Sequence, residues 1–298
     1  SVTSYDTVKE IITGDAFDFL PTNEAFCALP SDPCFSGSTD LNQSQYLNVK
    51  AFSQELRFES PTSTPLFWMF GGYLISTDRF ISTGNMLDLG QGVFPVFHTP
   101  STNPANPQYS FLSDQQNNFA WSGFANLGYQ FSPLVRLDGS LRYDHDRRKN
   151  TTETPDAWLG YINFIASLYG APQSHQGDVR QRKFSAWQPK VTLTVTPTKD
   201  LTLYGGYSRG FRSGGFNQTG VGVVAASNGV VGVNDVFEAE TADTIEAGFK
   251  SQWFHGLLTL NGAAFTTLSK NGYFFVYLYA NSTQNLGNVP KVRLKGLE

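Results

Sequence analysis

Charged residues are scarce in this chain of 298 residues. Asp, Glu, Lys and Arg make up 15% of it, against about 25% in an average soluble protein, so the sequence predicts a surface that water covers only in part. The formal net charge of −4 offers no basic surface of the kind that binds nucleic acid, and we expect no nucleic-acid partner.

Long hydrophobic runs are absent as well. No segment approaches the ~18 consecutive apolar residues of a membrane-spanning helix, which excludes a helical membrane protein. A membrane-spanning strand needs only ~9 to 11 residues that alternate between apolar and polar, so the composition leaves a transmembrane β-barrel open.

Cysteine is limited to Cys27 and Cys34, which lie in a polar stretch rich in Pro, Ser and Asp. Their spacing does not match a CxxC pair and further ligands are lacking, so we expect neither a metal site nor a cofactor. A loop disulfide in an oxidising compartment is preferred over two free thiols. No signal peptide is recognised, since Ser1 already begins a strand-like pattern, and we expect a piece of a longer protein or a mature form.

The clearest pattern is a hairpin in the middle of the chain, between Arg182 and Asn217. Val191, Leu193 and Val195 alternate with lysine and threonine, and after the short turn 197–200 a second alternating run begins at Leu201. Each run extends for roughly 12 to 15 residues, whereas strands of globular proteins usually have ~5 to 6. The hairpin is therefore long enough to cross a bilayer.

Similar alternation recurs along the chain and predicts about ten strands. Outside the central hairpin, the expected strands cover residues 1–9, 46–60, 66–80, 117–131, 134–149, 241–254, 257–269 and 291–298. Between them, long polar segments at about 10–45, 81–117, 150–181 and 218–240 are expected to be loops. The predicted fold is all-β: an antiparallel up-and-down transmembrane β-barrel, or part of a larger one.

The connections alternate in length, and this alternation predicts which end of the barrel faces which side. Turns near residues 61, 132, 197 and 255 are short, while the intervening connections are long, as in outer-membrane barrels with short periplasmic turns and longer extracellular loops. Aromatic residues at the two membrane interfaces are then predicted to form girdles: Tyr129, Phe131, Trp253 and Phe254 on the periplasmic side and Tyr143 on the outer side. Charged residues of the opposite face are expected to line the lumen: Glu55, Arg57, Arg136, Asp138, Arg142, Glu246 and Lys250.

Four segments carry a resemblance to a known family. SQELRFESP (residues 53–61), WQPKVTLTVTPTKDLTLYGGYSRGFRSGGFN (187–217), EAETADTIEAGFKSQWFHGLLTLNGAAF (238–265) and NVPKVRLKGLE (288–298) resemble consecutive parts of the barrel of TonB-dependent outer-membrane receptors. The resemblance implies energised uptake of a scarce ligand such as a ferric siderophore, with outer-membrane lipid and a TonB-type energising complex as further partners. It also implies about 22 strands and an N-terminal plug. This sequence shows neither plug nor final aromatic strand end, so we expect residues 1–298 to be an internal fragment of the barrel domain.

Two other functions remain open at this point. A complete ten-stranded outer-membrane hydrolase would suit the chain length, but it would need paired carboxylates or a Ser/His arrangement at the outer rim. The only local cluster, Asp144, His145 and Asp146, is divided between the two faces of its strand, so a metal or catalytic site there would require a bulge. A passive porin would need no plug, and the family-like segments favour a receptor over it.

Candidate ligand-binding residues lie at the expected outer end. Arg212 could bind an anionic siderophore or carboxylate, although pairing with a carboxylate of the wall is the preferred alternative. Loop aromatic side chains could contact a captured ligand or pack the loops on one another; they are Phe94, Phe97, His98, Trp158, Tyr161 and Tyr169.

Overall fold

Ten long strands dominate the structure, a computed structural model that describes residues 1–15, 40–61, 64–88, 98–102, 108–281 and 283–298. The strands of the large sheet are β1 (Val2–Asp15), β2 (Asp40–Glu59), β3 (Leu66–Asp88), β4 (Gln108–Ser132), β5 (Val135–Thr152), β6 (Val179–Thr198), β7 (Leu201–Arg212), β10 (Glu240–Trp253), β11 (Leu258–Leu278) and β12 (Thr283–Leu297). Shorter elements are α1 (Gly160–Leu168), α2 (Val221–Ser227), β8 (Gly215–Phe216), β9 (Val236–Phe237) and the 3₁₀ turns Asp156–Trp158 and Tyr279–Asn281.

The sheet is an antiparallel meander. Each of the ten strands pairs with the next in the chain, and β7 pairs with β10 across the connection that holds β8, α2 and β9. This order confirms the predicted all-β, up-and-down architecture with about ten strands. None of the helices in the described ranges is both long and apolar enough to cross a membrane.

The register gives the sheet two chemically distinct faces. One, the apolar face, carries Leu127, Leu137, Val191, Leu203 and Ile245, and these side chains are exposed. The other, the polar face, carries the seven charged residues predicted for the lumen. A sheet whose exposed side is this apolar needs a non-aqueous covering, as a barrel in lipid has.

Several strands are longer than their predicted bounds, and some predicted loop residues are strand. β1 continues to Asp15, β2 begins at Asp40, β3 runs to Asp88 and β4 begins at Gln108. The physical reason is that the ladder of backbone hydrogen bonds can continue where both faces of a strand meet water, without the apolar alternation that revealed the other parts.

Short turns join the strands at one end of the sheet, the turn end, and longer connections join them at the other, the loop end. Four connections at the turn end follow β2, β4, β6 and β10, as predicted. The last loop-end connection departs from the expected pattern, since only residues 279–282 separate β11 from β12. The aromatic stretch Tyr273–Leu278, which the sequence left unassigned, extends β11 instead.

The ladder between β6 and β7 opens towards the loop end. Their pairing runs from Thr198↔Leu201 to Lys190↔Ser208, whereas β6 stays paired with β5 as far as Val179. Pro189 is the first residue past the last pair, and it has no amide hydrogen to continue the ladder. A seam therefore separates the loop-end parts of β6 and β7.

Connections at the loop end pack on each other around a small apolar core. Ala166 and Ala171 from the α1 region meet Val221, Val224 and Ala225 of α2, together with Val233 and Leu278. Both short helices gain stability from this tertiary packing, because isolated helices of their length are marginal in water. Residues 160–171, 221–233 and 278–280 thus form one folded unit at the loop end, the cap.

Candidate functional site

The wall of the polar face carries regularly spaced ion pairs. Along β5, Arg136 pairs with Asp138 at 2.7 Å and Arg142 pairs with Asp144 at 2.9 Å. Arg148 pairs with Asp146 at 2.9 Å in the same way. Residues two apart on a strand share a face, so each arginine meets its aspartate on the polar face. Such a wall provides charge and hydrogen-bonding groups without a large net charge.

Arg212 stands at the loop-end edge of this wall. Its guanidinium lies 3.8 Å from the centroid of the Tyr273 ring and 3.9 Å from the Glu240 carboxylate. The side chain of Arg212 nevertheless remains 61% exposed. Arg212 pairs with a carboxylate of the wall, as the preferred alternative predicted, and the rest of its guanidinium is open to solvent.

Arg180 fastens the β7–β10 connection to β6. Its Nη1 donates to the carbonyl oxygens of Asn217 at 2.6 Å and Asp235 at 3.5 Å, and the guanidinium lies 5.2 Å from the centroid of the Phe216 ring. Burial lowers the pKa of Arg180, opposed by the charges of nearby carboxylates, of which Asp114 contributes most. This arginine bridges the seam between β6 and β7.

Asp114 lies near Arg180 at the loop end of β4. Burial raises the pKa of the Asp114 carboxyl, whereas the hydrogen bond that Asn150 donates at 3.1 Å and the positive charge of Arg180 lower it. A carboxyl in this setting is costly to ionise. Its proximity to Arg180 links the β3–β5 part of the loop end to the seam.

Three of the described loop aromatics pack on neighbouring side chains. Trp158 packs on Phe111 with ring centroids 6.5 Å apart, and Tyr169 packs against the core of the cap. The His98 ring lies 4.3 Å from that of Phe80. Tyr161 lies half-buried on α1. The other predicted contacts, Phe94 and Phe97, and the predicted disulfide of Cys27 and Cys34 lie outside the described residues.

Two groups of aromatic side chains occupy the apolar face. Near the turn end, Tyr129 and Phe131 lie 4.8 Å apart, and Trp253 shares their face on β10. Phe254 lies in the turn itself with a positive φ of 54°. Towards the loop end, Tyr143 contacts two tryptophans and forms with them what we call the outer aromatic row: Trp121, Tyr143 and Trp187, with centroid distances of 5.7 and 4.7 Å.

The spacing of these groups suits a membrane. From Tyr129 to Trp121, β4 advances about 27 Å along its axis. At a tilt of about 40° this is about 20 Å of height, near the ~25 Å apolar band of outer-membrane barrels. The predicted girdle residues thus lie at two levels, and their role as interface anchors remains a proposal.

Asp144, His145 and Asp146 do not form one site. The two aspartates lie on the polar face and bind Arg142 and Arg148, while His145 lies on the apolar face near Trp121, at a centroid distance of 5.8 Å. Among the residues that the structure describes, no cluster of three His, Cys, Asp or Glu side chains could hold a metal ion.

Sequence reasoning missed the residues that hold the cap together. Asn217 donates to the carbonyl oxygens of Asn234 at 2.8 Å and Leu286 at 2.7 Å, and it accepts a hydrogen bond from the Leu286 amide at 2.9 Å. The available signal was only its place after Gly214-Gly215-Phe216, which marks the end of a strand but names no distant partner.

Solved structures with the same fold are uptake receptors and transporters by name. The ferric yersiniabactin uptake receptor FyuA from Yersinia pestis matches with a TM-score of 0.60 at 18% identity, over 88% of this chain and 33% of the receptor. The copper transporter OprC matches with a TM-score of 0.59 at 12% identity, over 99% of this chain and 39% of OprC. The ferric citrate transporter FecA, unliganded, gives a TM-score of 0.52 at 16% identity, over 89% of this chain and 33% of FecA.

This chain therefore spans between a third and two fifths of those proteins. At such low identity the likeness concerns the fold. The family is shown separately by sequence, since the model of the TonB dependent receptor-like β-barrel matches residues 5–298. Members of this family are transporters, so the hydrolase alternative is wrong. With its meander, its apolar outer face and its folded cap, the chain belongs to the TonB-dependent receptor β-barrel family.

Proposed function

We propose that this chain is part of an outer-membrane receptor that takes up a scarce ligand with energy from a TonB-type complex. The observation that carries the proposal is the family match over residues 5–298. The two aromatic levels support a membrane setting, in which the turn end faces the periplasm and the cap faces outward. Residues 1–298 then form an internal part of the barrel domain, and the energising complex acts through the plug that such receptors carry.

The proposed ligand is a ferric siderophore or a similar iron complex. FyuA is named as a receptor for ferric yersiniabactin and FecA as a transporter of ferric citrate, whereas OprC is named as a copper transporter. The exposed guanidinium of Arg212 favours an anionic complex, since it can donate two parallel hydrogen bonds to a carboxylate. Copper is the rival cargo that the test must distinguish.

Uptake by the intact receptor tests this proposal. A strain that lacks the gene, and the same strain complemented, would be given radioactive iron as ferric citrate or as a ferric siderophore, and copper separately. We expect complementation to restore iron uptake only while the proton-motive force is intact. Uptake that survives an uncoupler would refute energised transport and favour a passive porin, while restoration of copper uptake alone would refute the iron proposal.

The length of the native protein provides a second test. The chain has a mass of 32.9 kDa and covers 33% of FyuA, so an antibody to residues 150–181 should detect an outer-membrane band about three times heavier. A native band near 32.9 kDa would contradict the fragment proposal.

Arg212 provides a site-specific test of ligand contact. We expect Arg212→Gln to weaken binding of an anionic iron complex about tenfold, as loss of a charge-assisted pair does. The matched control is Arg182→Gln, which removes an arginine that pairs with Glu238 at 3.2 Å. Equal effects of the two variants would indicate that Arg212 only supports the wall.

A further inference from the structure

Three cations cluster at the loop end of the β5–β6 hairpin, on the apolar face. Arg147 and Lys149 share this face with Leu137 and Leu141, and Arg147 lies directly opposite Lys183 on β6. Like charges placed opposite each other across two strands destabilise a sheet. The three side chains of this basic cluster (Arg147, Lys149 and Lys183) therefore repel one another.

None of the three cations of this cluster pairs with a carboxylate of the described residues. On the polar face, Arg136, Arg142 and Arg148 each have an aspartate within 2.9 Å. Arg209, on the apolar face of β7, pairs with Asp243 at 2.7 Å. Across the described ranges, by contrast, no carboxylate lies within 4.0 Å of a basic-cluster cation. The neutral Oε1 of Gln181, 3.2 Å from Arg147, is the side-chain acceptor nearby.

The cluster lies just beyond the outer aromatic row. From Tyr143 to Arg147 the strand advances about 13 Å, which is about 10 Å of height at a tilt of about 40°. Aromatic belts mark the boundary between the hydrocarbon and the headgroups, and the headgroup layer adds about 5 to 8 Å on each side. The backbone of the basic cluster thus stands at the outer edge of the headgroup layer, and its long arginine and lysine side chains, on the apolar face, can reach the headgroups.

A pocket lies at this level, where the seam separates β6 from β7. A cavity of about 430 Å³ is lined by Arg147, Gln181, Arg182, Lys183 and Glu238. Glu238 is already paired with Arg182 at 3.2 Å. The remaining cations, Arg147 and Lys183, leave the pocket with a net positive charge and without a second anion.

We propose that this pocket binds the phosphate of a phosphorylated lipid in the outer leaflet. A phosphate offers several strong acceptors to the donors of arginine and lysine. The acyl chains of the lipid would lie along the exposed apolar face beside Leu141 and Trp187. The inference rests on the membrane setting in the proposed function and not on the cargo. A receptor for copper or for iron would bind this lipid equally.

The test uses the full-length receptor purified in detergent and observed by native mass spectrometry. Three probes are titrated: a phosphorylated glycolipid, the same glycolipid after enzymatic removal of its phosphates, and inorganic phosphate. The variant is Arg147→Gln/Lys149→Gln/Lys183→Gln. The matched control is Lys190→Gln, because Lys190 lies on the same strand but on the polar face.

We expect each lost cation to weaken binding of the phosphorylated glycolipid about fivefold, and the triple variant to weaken it about a hundredfold. Lys190→Gln should bind as the wild type does, and the dephosphorylated lipid should bind the wild type no better than it binds the triple variant. Unchanged lipid binding by the triple variant would overturn the proposal. Inorganic phosphate that binds as tightly as the lipid would overturn it too, since the pocket would then be a site for free anions.

Discussion

Asn217 is the residue whose removal should loosen the cap most clearly. Its side chain makes three hydrogen bonds: it donates to the carbonyl oxygens of Asn234 and Leu286, at 2.8 and 2.7 Å, and accepts from the Leu286 amide at 2.9 Å. Each of these hydrogen bonds contributes about 1 kcal/mol, so Asn217→Ala should lower the free energy of local opening by about 3 kcal/mol. The amide of Leu286 loses its acceptor in this variant, so it reports the change directly.

Hydrogen exchange measured on the full receptor provides the assay. A loss of about 3 kcal/mol predicts that the Leu286 amide exchanges about a hundredfold faster, provided that exchange proceeds through local opening. The control is Asn228→Ala, which removes one hydrogen bond, to the Val224 carbonyl at 2.8 Å within the same connection. If the Leu286 amide exchanges in Asn217→Ala within about threefold of the wild-type rate, Asn217 does not fasten the cap.

Three other predictions concern the same end of the molecule. Gly214→Ala should displace β8, because the added methyl group would collide with the carbonyl oxygen of Phe237 and with the ring of Phe184. The control is Gly210→Ala, whose methyl group would meet no atom within 4 Å. Limited proteolysis of residues 213–239 distinguishes the two variants. Trp158→Ala should destabilise its 3₁₀ turn by about 2 kcal/mol and leave ligand affinity unchanged. Tyr161→Ala is the control. A loss of ligand affinity without a loss of protection from hydrogen exchange would refute the packing role of Trp158. Burial raises the pKa of Asp114, so its ionisation weakens the cap as the pH rises above the ordinary carboxyl range near ~3.9. The stability advantage of Asp114→Asn over the wild type should therefore grow with pH. A difference in stability that stays constant with pH would contradict the shift.

The alternating part of the sheet could be predicted from the sequence because one apolar and one polar face impose a strict pattern there. Val191, Leu193 and Leu203 alternate with polar residues, and the structure places all three on one face. Short turns at Pro133 and Lys199 fixed where the strands reverse. A period of two residues and a nearby turn are local signals, so they can be read without knowledge of distant partners.

The loop end could not be predicted in the same way. Trp158 was a candidate for ligand contact or for packing between loops, and the sequence could not show that it packs on Phe111, which is distant in sequence. Asn217 finds its partner at Leu286. Above the membrane no solvent boundary imposes alternation, and the cap depends on contacts between distant segments, which periodicity does not encode.

The meander also sets an order in which the protein can assemble. Several neighbouring strands are joined by short connections, so these hairpins can form soon after their residues emerge. The pairing of β7 with β10 is one of the long closures, since it must bring together ends separated by residues 213–239. Closing that connection costs about 2 kcal/mol more entropy than closing a two-residue turn. Folding of β8, α2 and β9 shortens the free length of this connection. The cap therefore lowers the entropic cost of pairing β7 with β10, which joins the strands before the connection to those after it.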